Sequence, residues 1–555
     1  MAGHTRKGDM SRKPVLLTAL FVSTLVGSAV ADAASRPAGR IEAGPAISPV
    51  LSVALGSLPV AAAPQVPPAI ANERQNPLAN EPDQGHRGTW TRSEVPPDPL
   101  ASRGFDPRHR TPAPALTFAG TGNPVGCGGC TPPDTMGDVG PRHYVQMVNA
   151  TKVAIYDKTG ALLGGPFDLS TLFSSGACTA DEGDPVVNYD PLADRWLLTQ
   201  FNGANSLCVA ASTTADPLGT YFVYNFLTTD FPDYFKVGVW PDGYYVSTNE
   251  SAYSAWALER LKIVAGLPAQ TIKASGSADN FLMPADVDGI VAPPAGAPAI
   301  YYTFLDGTFH GGSDRLELRA FHVDWVTPAN STFTVVGSPA ITSYTYTVCG
   351  YFNFSCAPQP ATGQMVDVVS EWPMFRLAYR RFATHESLVG NFTVPSSGRA
   401  APRWFELRGS GASWTLYQEG TYDPDATAHR FMGSIAQDRE GSIGLGYSAM
   451  SGTVSPSIRF ATRLASDPPG SLGTESTLFA GAGSQTGSSR WGDYSALSID
   501  PADECTFWYT NQYYAASSAN TWATRIGAFR VPECRGLFFD NFETSGTTRW
   551  SATAP

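Results

Sequence analysis

Apolar positions in this chain fall into short runs, each closed by Asp, Pro, Asn or Gly. Residues 184–227 show it most plainly, with runs at 186–189, 196–201, 206–212 and 221–226 separated by turn residues. Runs bounded in this way predict strands joined by tight turns. Four strands in about forty residues is the size of one β-propeller blade. No sustained 3.6-residue period is present, so helices contribute little.

The pattern recurs along the chain. Residues 134–173 form a first blade, with strands at 144–148, 152–156 and 162–167 and the turn Asp157-Lys158-Thr159-Gly160. Residues 184–227 are the second. A third, 235–275, carries the turn Pro241-Asp242-Gly243. Residues 286–342, 374–422, 430–464 and 491–531 are the fourth to seventh. GDPVVNYDPLADRW and WGDYSALSIDPADECTFW share one plan: a Gly-Asp opens an apolar strand, an Asp-Pro turn follows, and a second Asp precedes an aromatic strand. The expected fold is therefore all-β, a β-propeller of seven four-stranded blades, with six and eight as the alternatives. The last blade shows three clear strands, and residues 115–118 would complete it and close the ring. Radial stacking covers both faces of each small sheet. Trp196, Trp240 and Trp508 are the expected packing residues between blades.

Composition agrees with many short strands. Of 555 residues, 43% are hydrophobic and 15% charged, with 54 Gly and 45 Pro. The net charge is -12, and no Lys/Arg-rich run lies in the folded part. That argues against a nucleic-acid partner, which needs clustered cations.

The N-terminus reads as a targeting segment. Arg12 and Lys13 precede an apolar run from Val15 to Val30 that ends in Ala29-Val30-Ala31. Residues 1–31 are the expected signal peptide, with Met10 an alternative start and a membrane anchor the competing reading; the apolar run is short for a span, and no later stretch is apolar enough to cross a membrane. Export implies oxidation, so eight cysteines read as four disulfides, paired locally: Cys127–Cys130, Cys178–Cys208, Cys349–Cys356 and Cys505–Cys534. Cys127–Cys130 has redox-motif spacing, but no βαβ pattern surrounds it. Residues 32–114 are Pro/Ala-rich and are expected to be a disordered spacer. The propeller is assigned to 115–534 and a C-terminal tail to 535–555.

Propeller chemistry converges where inner strands begin. The blade-opening acids Asp138, Asp184, Asp286 and Asp493 are expected to ring one mouth of the channel. Paired carboxylates there suit glycoside hydrolysis or Ca²⁺ binding; the competing reading is Asp accepting turn N–H groups. Asp181, Glu182 and Asp184 form a second candidate for Ca²⁺. His385 and Glu386, following Arg376, Arg380 and Arg381, could hold an anionic sugar or move a proton; His429-Arg430 adds a second histidine, and interblade ion pairing is the alternative. Trp491, Asp493 and Tyr494 combine an aromatic face with a carboxylate and a phenol, as sugar binding requires. Aromatic packing explains the same three. No GxSxG, HExxH or P-loop occurs.

PPDTMGDVGPRHYVQMVN, GDPVVNYDPLADRWLLTQF, KVGVWPDGYYVSTN and SRWGDYSALSIDPADECTFWYTNQYY resemble large exported bacterial β-propeller-like proteins that carry no assigned function. The resemblance spans about Thr131 to Val531 and transfers no catalytic residue. LFFDNFETSGTTRW resembles a short tail on varied secreted proteins, through Phe539, Asp540, Phe542, Glu543 and Trp550. Asn541 stands where the commoner form has Gly. The resemblance implies sorting or surface retention, with a small strand packed on the propeller as the alternative. These readings lead to a secreted or cell-surface monomer that binds glycan or another surface polymer, with a polysaccharide hydrolase or lyase and a structural adhesion protein as alternatives.

Overall fold

A computed structural model describes residues 40–63, 97–275, 278–345, 348 and 355–534. Within them the chain is almost entirely antiparallel sheet. Four-stranded meanders follow one another, and their first strands are Met136–Val139, Val186–Asp190, Asp233–Val239, Met283–Val287, Met374–Arg381, His429–Gln437 and Ala496–Ile499. The fourth and fifth meanders merge into one eight-stranded sheet, because their first strands pair in parallel: Ala285 with Leu377, Asp286 with Ala378 and Val287 with Tyr379. Each first strand packs beside the first strands of the meanders before and after it, and the last lies beside the first. They surround a common axis. Gly238 is needed at this approach, since a Cβ there would lie 2.2 Å from the Ala285 carbonyl oxygen.

Local chemistry sets the turns. Asp157 Oδ1 accepts from the Thr159 and Ala161 N–H groups, and Gly160 follows at φ +90°. Asp190 and Asp503 accept likewise from Leu192 and from Cys505 and Thr506. Asp therefore closes hairpins by capping N–H groups the strands leave free.

The seventh meander has three strands of its own, and Leu116–Ala119 supplies the fourth by pairing along Ala523–Arg530. An early strand thus ties the beginning of the sheet array to its end. The sixth meander runs past the expected 464, with a fourth strand at Ser476–Phe479. An insertion at 338–373, not foreseen from sequence, separates the fourth meander from the fifth.

The spacer expected over 32–114 is ordered where it is described. Arg40–Ala43 pairs along Thr271–Ser275, and Val50–Leu51 pairs with Val223 and Phe222. Phe105 bridges to Leu472, and Asp98 meets Arg403 in a fully buried ion pair. The outermost strand of each meander exposes unpaired backbone groups. A Pro-rich segment can satisfy a few of them at an edge, where its missing N–H groups do no harm. The segment 1–31 expected as a signal peptide, the expected tail 535–555 and Cys349 lie outside the described residues.

Trp196, Trp240 and Trp508 are buried as expected. Trp508 stacks on Tyr144 at 5.3 Å, joining the seventh meander to the first. Disulfides join Cys127–Cys130, Cys178–Cys208 and Cys505–Cys534, and Cys356 is also disulfide-bonded. Such bonds persist in oxidising compartments. Among the described residues no helix is long and apolar enough to cross a membrane.

Candidate functional site

The four blade-opening acids do not form one ring; they divide between two charged groups along the axis. Asp134 and Asp138 belong to different groups although four residues apart, roughly 13 Å of extended chain.

The first group collects Asp134, Asp184, Asp233 and Asp493 around Lys236, all buried. Lys236 Nζ donates to the Tyr234 and Phe235 carbonyls at 3.0 Å and lies 3.5 Å from the Tyr234 ring centre and 4.1 Å from that of Tyr494. Asp493 N–H donates to Asp134 Oδ1 at 2.7 Å, and Asn149 donates to the other oxygen of Asp134. Arg490 pairs with Asp493 at 2.8 Å. Asp184 takes its position from a backbone bond, its N–H donating to Asn149 Oδ1 at 3.0 Å, and its own Oδ1 is buried with no hydrogen-bond partner among the described residues. Asp134, Asp184 and Tyr234 have φ between 39° and 52°. These left-handed conformations are costly outside glycine.

Burial dominates the electrostatics of this group. It pushes the Asp134 carboxyl up to about 7, with the Asp493 charge adding to it. Asp184 goes well above the usual carboxylate range through burial and then through Asp134. Burial lowers Lys236 to about 8 against the opposing pull of the carboxylates, Asp184 first. Acid and base are thus both moved toward neutrality, the signature of a site that does chemistry or of a crowded core.

The group is closed to solvent. Tyr234 packs on Trp372 of the insertion at 4.6 Å, and its hydroxyl donates to the Pro373 carbonyl. Asp367 N–H donates to the Ser489 carbonyl, and Gln359 and Gln485 exchange hydrogen bonds, so the insertion is fastened to the loop that carries Asp493.

The second group centres on Arg376. Its guanidinium donates to Asp286 Oδ2 at 2.9 Å and to both oxygens of Asp288 at 2.9 and 3.0 Å. Asp286 Oδ1 accepts from Val239 N–H, and Asp138 accepts from Val139 and Tyr189 N–H. Asp138 and Asp286 therefore staple neighbouring first strands together. Burial raises Asp138 to about 7, with Arg376 opposing. This arrangement fills the axis with paired charge.

The remaining candidates lie elsewhere. His385 sits in the hairpin after Met374–Arg381, stacked on Phe382 at 4.8 Å. Glu386 accepts from Tyr379 and Ser410 hydroxyls, each at 2.7 Å. Arg380 binds Glu504 at 3.0 Å and the Gln437 carbonyl, which is pairing between meanders. Arg376, grouped with His385 by sequence, points instead into the axis. His429 is buried, and its Nδ1 accepts from the Ala400 N–H at 3.2 Å. Trp491 offers no open shelf: it is fully buried and donates to Ser448 Oγ. Tyr494 is buried under Lys236.

The acidic run also separates. Asp181 accepts from Ser170, Glu182 from Gly203 N–H, and Asp184 turns to the axis. Among the described residues no three His, Cys, Asp or Glu are grouped to hold a metal ion. Sequence reasoning missed Asp134, Asp233, Lys236 and Asp288. The one signal for Lys236 was a lysine inside an otherwise apolar run, Phe235 to Val239.

A half-open cavity of about 220 Å³ lies on the rim, away from the axis. Its walls come from the N-terminal strand, the end of Tyr221–Leu227, and the outer strands of the third meander. Trp256 and Lys273 line it, with the Lys273 ammonium 4.8 Å from the indole.

The fold thus defines a β-propeller-like all-β protein. No family model matches the sequence, and no curated protein matches it. Among solved structures the chain is similar to a PL25 polysaccharide lyase, an ulvan lyase, at 10% identity and TM-score 0.37, covering 76% of this chain and 96% of that one. It is similar to a mutant of AofleA from Arthrobotrys oligospora at 9% identity and TM-score 0.34, covering 78% and 96%. The WD40 domain of SCAP from fission yeast aligns at 7% identity and TM-score 0.30, covering 71% and 95%. At these values the likeness says nothing of what this chain binds or does.

Proposed function

We propose that the chain is an exported seven-bladed propeller that binds a glycan or another surface polymer without turning it over. The supporting observation is the closed axis. Asp184 and Asp493 lie behind the insertion, and Asp138 and Asp286 are committed to Arg376 and to backbone N–H groups. Glycoside hydrolysis by paired carboxylates needs room for a sugar between them, and these carboxylates are buried at 1–3% exposure or bonded to backbone. Export is read from the apolar N-terminal segment and the disulfides, and residues 535–555 are read as a surface-retention signal.

A second reading, a polysaccharide hydrolase or lyase, is supported by one feature. Lys236, lowered to about 8, and Asp134, raised to about 7, sit together as an acid–base pair would. The test is to incubate the mature chain with a polysaccharide panel while measuring retention and product release together. Retention without release supports the binding module. Release that vanishes in Lys236→Met assigns the chemistry to the axis and overturns it.

A further inference from the structure

We infer that the rim cavity is the binding site, and that it takes an uncharged pyranose unit of a polysaccharide; this rests on the binding-module reading above. The cavity measures about 220 Å³, below the size of most small-molecule sites, so one ring fits while the polymer continues outside. The open side runs past Leu227, which is 68% exposed.

The lining has the chemistry of sugar recognition. Pro45, Ile47 and Leu227 offer apolar surface for a ring face, over a floor made by the buried Trp256 and Phe226. Thr228, Thr229 and Thr271 bring hydroxyls, and Glu42 brings a carboxylate acceptor. The indole is held in place by its N–H donating to Glu250 Oε1 at 2.9 Å and Thr248 Oγ1 at 3.2 Å. A fixed aromatic floor keeps the lining pre-organised, so little entropy is lost on binding.

Charge selects the ligand. Lys273 is the cation of the lining, and it is already paired with the buried Glu250 and donates to Thr229 Oγ1 at 2.9 Å. Glu42, at the mouth, is likewise paired, with Arg40 at 2.9 Å. Both charges of the lining are thus spent on internal partners and neither is left for a uronate or sulfate, so an uncharged sugar is favoured.

The N-terminal strand completes the site. Arg40–Ala43 pairs along Thr271–Ser275, and Ile47 bridges to Ala269. Gly44 lets the strand lie close, because a Cβ there would sit 2.3 Å from Thr271 Oγ1. The segment read from sequence as a spacer is thus one wall of the pocket.

The experiment measures affinity of the mature chain for neutral β-glucan, xylan and mannan, and for polygalacturonate and a sulfated galactan. Two blocking variants enter from opposite walls, Thr229→Trp and Ala43→Trp, both at exposed positions. Each is expected to weaken neutral-glycan binding at least about tenfold with an unchanged melting temperature, a tenfold loss being about 1.4 kcal/mol. Glu42→Lys is expected to gain polygalacturonate binding. Full affinity in both folded blocking variants overturns the site but leaves the binding module standing. Preference of the unaltered chain for acidic glycans overturns the ligand class. Binding to none of the panel overturns the proposed function itself.

Discussion

At the scale of single residues, the account depends on what burial does to charge. Arg376 neutralises Asp286 and Asp288 inside the axis. Removing one partner of a buried pair leaves the other uncompensated, typically at about 3–5 kcal/mol. Arg376→Met is therefore expected to lower unfolding stability by about that amount, read by urea titration. Asp184 behaves in the opposite way. Its carboxyl is held above the ordinary range by burial and by Asp134, so it binds its proton more tightly folded than unfolded. Its contribution is fully present below about 3.9, the unfolded value, and is lost as pH rises through the folded value. Asp184→Asn removes that loss. Melting temperatures of variant and parent should coincide near pH 4 and separate, variant higher, as pH rises to 8. A variant that is less stable at every pH would show the carboxylate to be a required partner.

At the scale of elements, the strands written into the sequence and those imposed on it differ. Asp-capped hairpins such as Asp157–Gly160 were legible because the turn residues and the apolar runs agree locally. The meander order follows from them. The N-terminal edge strands were not legible: Arg-Ile-Glu-Ala at 40–43 has no turn signals, and its pairing is decided by the exposed edge of Thr271–Ser275. The charged axis was half legible. Asp138, Asp184, Asp286 and Asp493 stood out, but which share a group depends on strand register around the ring, a non-local fact. Lys236 and Arg376 found their partners only there. Two measurements probe these elements. A Cβ at Gly104 would lie 1.9 Å from the Thr421 carbonyl oxygen, so Gly104→Ala should destabilise by about 1–3 kcal/mol through a shifted backbone and increase proteolysis near residues 97–112. Loss of the Cys178–Cys208 disulfide, in Cys178→Ser/Cys208→Ser protein, should cost about 2–4 kcal/mol by equilibrium unfolding.

At the scale of the molecule, the meanders are held as a ring by a strand from the other end of the chain. Leu116–Ala119 pairs with Ala523–Arg530, and Phe118 packs on Tyr156 at 5.1 Å and Trp508 at 6.4 Å. Phe118→Ala removes apolar contact at this closure and should cost about 2 kcal/mol, felt as a lower midpoint of the whole transition. A separate early transition of one meander would mean that closure is local. The ring places charge at its centre, an open cavity lies at its rim, and the functional reading follows from that division. The measurement that tests it most directly is product release by the mature chain on neutral and acidic polysaccharides, followed through reducing ends and unsaturated products. The account predicts retention of polymer with no release. Release that is abolished by Asp184→Asn or Lys236→Met in folded protein would contradict it and make the axis an active site.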